Sequence, residues 1–353
     1  MTLTNVDVSA ATAEPEAKTV EGRSQWQLTW RRLRADKVSM IAIAVIVIMI
    51  VLAIIAPVFA QLTGHPVNMA YPDTGENAVG NPVPPGTNGF LLGTDSTGRD
   101  LLVRILYGAR ISLFVGVVST AIAAVLGVAI GLMAGYFGGF IDQLLGRFTD
   151  AVLAFPYVVL AIALAAVFGP SLTLITIMIT FFSWAGIARI VRGQTLSIKE
   201  KEYIEAARSL GAGPFRIMFI DILPNLLAPV LVIATLFIPN AIVFESTLSF
   251  LGLGIQPPTP SWGNMLSDAS NFYQVAWWYL LFPALFLLMT TLAFNLLGDG
   301  IRDAMDPRTE RLIAARRMRK RREQAAKREI ANATGGVGPD SAITDTVRKP
   351  YGG

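Results

Sequence analysis

The chain contains few of the side chains on which catalysis or metal binding most often depends. Its 353 residues include no cysteine and a single histidine, His65. Disulfides, thiol nucleophiles and thiolate metal sites are therefore excluded, and one histidine leaves little scope for a zinc site. The sequence also has no G-x-x-x-x-G-K-[ST] phosphate loop. We therefore expect no catalytic residue, cofactor or metal in this chain.

The polar stretch at residues 192–224 has instead the features of a protein-docking loop. Residues 200–210 are rich in helix formers, Gly211 interrupts them, and Pro214 is suited to begin another helical turn. Small residues permit another surface to come close, and a helix lying in a groove is a common mode of recognition. The alternative is a plain loop that re-enters the membrane. The residues that carry the docking hypothesis are Glu205, Ala206, Ala207, Arg208, Gly211, Leu223 and Pro224.

Composition places most of the chain in a lipid bilayer. Hydrophobic residues make up 53% of the sequence and charged residues 15%, whereas about a quarter of a typical soluble domain is charged. A spanning helix needs about 20 apolar residues. The runs that meet this need are 38–60, 111–136, two halves of the charge-free segment 151–188 divided at Gly169-Pro170, 222–244 and 275–297. We therefore predict an all-α membrane protein with six transmembrane helices.

The second run contains a pattern of small residues. Gly127, Gly131 and Gly135 are spaced four apart, which places them on one face of a helix. Small residues at this spacing permit close contact between helices in lipid. We expect this face to be a packing surface.

The distribution of basic residues predicts the orientation. Six spans place both chain ends on one face of the membrane, together with 26 of the 29 Lys and Arg residues. The positive-inside rule puts that face in the cytoplasm. The opposite face keeps only Arg99, Arg104 and Arg110. Apolar residues at helical spacing predict a short amphipathic helix over residues 98–110, lying on the outer surface as a contact for an external partner or as an anchor for the second span.

These features divide the chain into five regions. The C-terminal region is strongly basic, and its final residues have the composition of a disordered segment. The regions are a cytoplasmic N-terminal tail (1–37), a first span (38–60), an extracytoplasmic loop with the amphipathic segment (61–110), a five-helix core that includes the loop 192–224 (111–300), and a basic, partly disordered cytoplasmic tail (301–353).

Several segments together resemble a known family. Glu205-Ala206-Ala207, then Gly211 after three residues, then Leu223-Pro224 follow the EAA pattern of ABC importer permeases. Asp221 departs from this pattern, which usually has isoleucine at that position. Over most of residues 30–308 the chain resembles the C-type permease subunit of dipeptide and oligopeptide ABC importers, within the peptide/nickel family. The further segments that carry the likeness are 30–37, 92–95 with 98–100, 248–264 (LSFLGLGIQPPTPSWGN) and 294–308 (FNLLGDGIRDAMDPR).

The resemblance implies both a fold and a set of partners. The fold would be that of a type I ABC importer permease in a bacterial plasma membrane. The chain would form half of a translocation pathway for dipeptides and oligopeptides. The implied partners are a second homologous permease subunit, two ATPase subunits that bind ATP and magnesium, an extracytoplasmic solute-binding protein, and membrane lipid, with no role for nucleic acid. The family members do not themselves hydrolyse ATP.

Four residues outside the loop are candidate contacts for the pathway or the binding protein. Glu245 lies near the outer end of the fifth span, where a helix-end charge that reaches water is the alternative. Ser183 and Trp184 lie within the fourth span, where helix packing is the alternative. Trp262 lies in the segment 248–264 that shares the family likeness.

Three other functions compete with this interpretation. A self-contained secondary transporter would need an internal repeat and intramembrane charges to couple an ion, and the sequence displays no clear repeat. A structural membrane scaffold would have no use for a loop that docks an ATPase. The same importer role is also compatible with another small solute, such as a nickel complex or an opine.

Overall fold

The computed structural model describes residues 25–305 and 323–326. Most of the predicted N-terminal tail, and most of the basic tail, lie outside the described residues. Regular structure within the described ranges is helical apart from isolated bridges between short loop segments. The helices of residues 25–305 are α1 (Gln25–Ala35), α2 (Lys37–Thr63), α3 (Pro72–Gly75), α4 (Leu101–Phe137), α5 (Gly139–Ala154), α6 (Tyr157–Phe168), α7 (Leu172–Lys199), α8 (Glu202–Ser209), α9 (Pro214–Arg216), α10 (Leu223–Phe250), α11 (Trp262–Ala269) and α12 (Trp277–Met305).

The long helices are suited to a membrane. Within the described residues, five continuous helical runs are long and apolar enough to cross a bilayer, and they are α2, α4, α7, the run from α9 through α10, and α12. The bent pair α5 and α6 makes a sixth if it is counted as one span. The prediction of an all-α protein with six spans is confirmed on that count.

The second span is longer than predicted. α4 begins at Leu101 and runs without interruption to Phe137, so residues 101–110 are its first turns and not a separate surface helix. The prediction of an independent amphipathic helix is therefore wrong. The apolar spacing that prompted it has another cause, because Leu101, Ile105 and Leu106 are buried against other parts of the same chain.

The third span is broken. A 78° bend separates α5 from α6, and α6 has only 12 residues, or about 18 Å at 1.5 Å per residue. Of the two runs predicted over 151–188, the second and the turn at Gly169 are present, whereas the first is helical only from Tyr157 and needs α5 to complete a span. The bend falls at Phe155, whose backbone is extended, because a residue that precedes proline is disfavoured in helical geometry and Pro156 follows.

Close packing of α4 against α7 forms the centre of the molecule. A Cβ atom on Gly131 would lie 2.5 Å from the carbonyl oxygen of Ala188. A Cβ atom on Gly135 would lie 2.6 Å from the Cβ atom of Thr195, and Gly127 meets α7 in the same way. The predicted packing face is confirmed, since only glycine permits this separation of the two backbones.

The remaining spans surround this pair. α12 packs against both α2 and α10, and α10 also contacts α4. The family-like segment near the end of α12 supplies one close contact, where a Cβ atom on Gly298 would lie 2.5 Å from the Leu236 side chain of α10. The two largest apolar clusters of the described residues lie between α4, α7 and α10 and between α2, α4 and α12.

A substitution at the α4–α7 contact tests its importance. Gly131→Val places two methyl groups where the backbone of α7 lies, and overpacking of this kind costs about 1–3 kcal/mol. We expect the thermal unfolding temperature of the purified protein in detergent to fall by several degrees. Gly193→Val is the matched control, because no atom lies within 4 Å of a Cβ at that helical glycine. Equal stability of the two variants would contradict the packing argument.

Candidate functional site

The docking loop, residues 192–224, contains the short helix that the sequence predicts. α7 ends at Lys199, and α8 follows at once from Glu202 to Ser209. Ile204 of α8 is fully buried in the apolar cluster that also contains Val191 of α7 and Ile217 after α9. One side of α8 is therefore fixed to the end of the spans, while its other sides remain free for a partner.

The residues predicted to dock lie mainly on those free sides. Glu205, Ala206 and Arg208 are exposed, and Ala207 is half-buried. The guanidinium of Arg208 lies 5.8 Å from the ring centroid of Tyr136 at the end of α4, a cation–π separation. The exposed strip thus joins small residues, which allow close approach, to an acidic and a basic side chain that can be recognised electrostatically.

Gly211 ends this helix in the way that its residue type requires. Its φ angle is +83°, in the left-handed region that favours glycine. The N–H of Gly211 donates to the carbonyl of Arg208 at 2.9 Å, and the N–H of Ala212 donates to the carbonyl of Ala207 at 3.0 Å. A Cβ atom at Gly211 would meet no other atom within 4 Å, so the loop leaves open space beside the turn.

Two large apolar residues next to this turn were missed in the sequence analysis. Leu210 is 88% exposed and Phe215 is 71% exposed. Leu210 lies directly before Gly211, and Phe215 lies directly after Pro214. Their position beside a glycine turn in a charged segment was the signal that could have identified them. Together they form an exposed apolar patch outside the long spans, which is typical of an interaction surface.

The end of the docking loop places Asp221, which departs from the family pattern, next to a buried isoleucine. Residues 217–222 form a π-helical turn, which holds more residues per turn than an α-helix and accommodates one extra residue. Ile222 is fully buried there, whereas Asp221 is partly exposed. Burial and, secondarily, the charge of Asp221 raise the pKa of Tyr203 on α8. The hydroxyl of Tyr203 accepts a hydrogen bond from the side-chain amide of Asn225 at 3.4 Å. Leu223 packs at the edge of the same apolar cluster, and Pro224 is exposed.

A buried charge network occupies the opposite end of α4. Asp95 is fully buried, and its carboxylate accepts from the side chain of Arg99 at 2.7 Å. The same carboxylate accepts from the backbone N–H groups of Thr97 and Arg99 at 2.9 and 3.0 Å. Arg104, also buried, lies with its Nε atom 3.0 Å from the Asp95 carboxylate as an ion pair. Two of the three arginines on the face with few basic residues therefore pair with one buried aspartate.

Arg104 also connects two loops that are distant in sequence. Its guanidinium lies within 3.4–3.5 Å of the carbonyl oxygens of Val67 and Pro258 and of the side chain of Asn68. Nearby, burial and, secondarily, the charge of Asp95 raise the pKa of Asp268 in α11. This network holds the loop after α2 and the loop before α11 at the start of α4.

Glu245 is not a helix-end charge that reaches water. It is fully buried, and its carboxylate accepts hydrogen bonds from Ser112 of α4 at 2.9 Å and from Ser249 at 2.8 Å. Ser246 lies 3.4 Å away. Hydroxyl groups therefore satisfy this carboxylate within the chain, and in this conformation it lines no open pathway.

The two tryptophans among the predicted contacts pack inside the chain. Trp262 is fully buried, and its indole N–H donates to the carbonyl of Ile105 at 3.2 Å, so the prediction that it contacts the pathway or a binding protein is wrong in this conformation. Trp184 is buried and stacks on Phe148 of α5 with a centroid separation of 5.6 Å, as the packing alternative requires. Ser183 beside it is half-buried.

The fold defines a membrane-embedded protein of several spans with an exposed helical loop at one end. Comparison with known families agrees with this class. A family model described as the inner membrane component of binding-protein-dependent transport systems matches residues 127–311. A second, described as the N-terminal transmembrane domain of oligopeptide transport permease C, matches residues 24–78.

Individual relatives extend the match over most of the chain. The oligopeptide transport system permease protein OppC of Haemophilus influenzae is 43% identical over 294 residues, which cover 83% of this chain and 92% of that protein. OppC of Escherichia coli K12 is 45% identical and covers 82% of this chain and 93% of its own length. The dipeptide transport system permease protein DppC of Bacillus subtilis is 42% identical over 82% of this chain and 87% of its own length.

Among solved structures, the chain is similar to inward-facing forms of the MetNI methionine ABC transporter, with a TM-score of 0.48 and 20% identity over 58% of this chain and 96% of that chain. On the sequence matches, this chain belongs to the family of inner membrane components of binding-protein-dependent transport systems. The resemblance found from the sequence is confirmed, and with it an all-α permease and a location in the membrane as a multi-pass protein.

A substitution at Asp95 tests whether the buried charge network fixes the loops after α2 and before α11 at the start of α4. Asp95→Asn leaves Arg104 buried without its counter-charge, and loss of one partner of a buried ion pair costs about 3–5 kcal/mol. We expect a large fall in the unfolding temperature and in the yield of folded protein in detergent. Asp73→Asn removes an exposed carboxylate from the same loop and should leave both unchanged. A network without structural importance would make the two variants indistinguishable.

Proposed function

We propose that this chain is a permease subunit of an ATP-driven importer, in which it forms half of the translocation pathway and receives the energy of ATP through its docking loop. The observation that supports this most directly is the form of α8. One side of the helix is anchored by buried Ile204. The exposed side carries the EAA residues, Glu205 to Ala207, just before exposed Leu210. A surface that is fixed on one side and open on the other is suited to transmit movement.

The docking step follows from the shape of that surface. Ala206, Ala207 and Gly211 let a groove on an ATPase subunit approach the α8 backbone, and Leu210 and Phe215 supply apolar area that becomes buried on contact. Charged contacts of Glu205 and Arg208 with the groove set the position of α8 along it. ATP and magnesium bind at the ATPase subunits and not at this chain.

The coupling step is a shift between two states of the complex. ATP closes the two ATPase subunits, the docked α8 helices approach each other, and the pathway changes from inward-facing to outward-facing. ATP drives this change only if it binds more tightly to one state than to the other, since a ligand shifts an equilibrium by its differential affinity.

The remaining partners follow from the family and the relatives. A second homologous permease completes the pathway, and a solute-binding protein delivers the cargo on the face opposite the docking loop, with lipid around the spans. Both chain termini lie in the cytoplasm on the basis of the basic residues. The cargo is a dipeptide or oligopeptide, which the names of three relatives from three organisms support, and the same role for a nickel complex is the alternative.

Co-purification of the complex tests this proposal. We expect a tagged chain in detergent to bring down two ATPase subunits and a second permease. Glu205→Arg, Gly211→Asp and Leu210→Asp should each reduce the recovered ATPase at least about tenfold, which corresponds to 1.4 kcal/mol, while the second permease remains bound. Peptide uptake into vesicles should fall with the loss of ATPase.

The control and the contrary result are both specific. Asp73→Arg changes an exposed charge in the loop at the other end of the molecule and should leave ATPase recovery unchanged. If the chain purifies alone and still moves solute in vesicles, it is a secondary transporter and not an importer subunit. If it purifies alone and moves no solute, the scaffold alternative is supported.

A further inference from the structure

The broken third span is the least buried of the span elements in the described residues. The buried residues of α5 are Thr149 and Val152, and its packing partners are α4 and α7. Its opposite face presents apolar side chains outward, among them Phe140 and Leu144. Apolar burial within the chain therefore does little to fix the position of α5.

Two ion pairs join α5 to α7 in antiparallel register. Arg192 of α7 makes a two-pronged contact with Asp142 near the start of α5, through Nε to one oxygen and through Nη2 to the other at 2.7 Å. Arg189, one turn earlier in α7, donates to Asp150 near the end of α5 at 2.5 Å. The carboxylates are about 12 Å apart along α5 and the arginines about 4.5 Å apart along α7, so the two long side chains spread apart to fix α5 at two points.

The space between the two ion pairs is open. A cavity of about 270 Å³ lies among α4, α5 and α7 and is lined by all four charged side chains together with Gln143 and Arg147. Both members of the Arg189–Asp150 pair are more than half exposed. Exposed ion pairs contribute little to stability, so the Arg189–Asp150 contact serves orientation better than it serves folding. The Arg192–Asp142 contact is partly buried, with 40% and 19% of the two side chains exposed.

α7 connects these ion pairs to the docking loop. Arg192 lies two turns before the end of α7 at Lys199, and α8 begins three residues later. The side chains of Val191, Ile198 and Ile204 belong to one buried cluster, so α8 and the end of α7 are packed as a unit. Only Glu200 and Lys201 separate the two helices, so a displacement of α8 reaches Arg189 and Arg192 through this shared cluster.

We propose that Asp142, Asp150, Arg189 and Arg192 are positioning residues for transport, whose two ion pairs make α5 follow the end of α7 when the docking loop moves. α5 then changes its angle to α6 at Phe155-Pro156, where the span is already broken. This inference rests on the proposed function, since it requires an ATPase to move α8. It adds the route by which that movement reaches the third span.

Charge reversal and exchange separate this role from simple packing. In the reconstituted complex, Arg192→Asp places two carboxylates together and should lower peptide transport at least tenfold, with the ATPase subunits still bound but no longer stimulated by the loaded binding protein. The exchanged double variant, Asp142→Arg with Arg192→Asp, should restore transport to within threefold of the unmodified complex. Arg147→Asp makes the same charge change on α5 at an exposed residue that lines the same cavity and should transport normally.

A distance measurement gives a second readout. Because the chain has no cysteine, cysteines introduced at exposed Leu144 of α5 and Ile190 of α7 can carry spin labels without background. We expect electron paramagnetic resonance to give the same label separation with and without ATP in the unmodified complex. In Arg192→Asp the separation should increase and broaden.

Each contrary result has a distinct meaning. Normal coupled transport by Arg192→Asp, or an assembled double variant that does not transport, overturns the inference while the importer assignment stands. Failure of both charge arrangements to assemble also overturns it, because the ion pairs then act in folding. If the unmodified complex itself binds no ATPase, the proposed function fails.

Discussion

The contact between α4 and α7 is the constraint on which the other parts of the molecule depend. Gly127, Gly131 and Gly135 bring the two backbones so close that a methyl group would not fit at any of the three. In lipid, helices gain little from the hydrophobic effect against each other, so close backbone packing has to hold them together. α4 carries the charge network at its first turn, and α7 leads into the docking loop at its last. The pair therefore connects the two ends of the molecule through one rigid contact.

The segment before α11 depends on this pair for its own position. The Ile105 carbonyl of α4 accepts from buried Trp262, and Ser112 of α4 donates to Glu245. The side chain of Asn264 donates to the carbonyls of Ile255 and Thr259 at 3.1 and 2.8 Å. A long uncharged loop rich in proline and glycine is thus fixed by buried polar contacts, which are costly to leave unsatisfied. The family likeness of this segment reflects internal structure in this conformation.

Features that depend on neighbouring residues could be predicted from the sequence, and features that depend on distant contacts could not. Hydropathy located the long spans, and residue spacing identified both the helix at 202–209 and the packing face of α4. Hydropathy does not record direction, so the 78° break between α5 and α6 was hidden within a charge-free run. Pro156 was the available clue. The burial of Trp262 and Glu245 depends on contacts with α4 more than 130 residues away, which no spacing rule contains.

The charged residues separate into two functional groups by burial. Asp95 and Arg104 are enclosed, where an ion pair is held by surrounding hydrogen bonds and its loss is severe. Asp142 and Asp150 of the weakly packed α5 pair with Arg192 and Arg189 of α7 in contacts that are partly or mostly exposed, where an ion pair adds little stability but still determines which elements move together. A transporter needs both kinds, because one part of the chain has to stay fixed while another changes position. The buried network lies at the start of α4, far from the docking loop. The ion pairs between α5 and α7 lie close to the docking loop. The fixed part and the moving part are therefore at opposite ends of the α4–α7 pair.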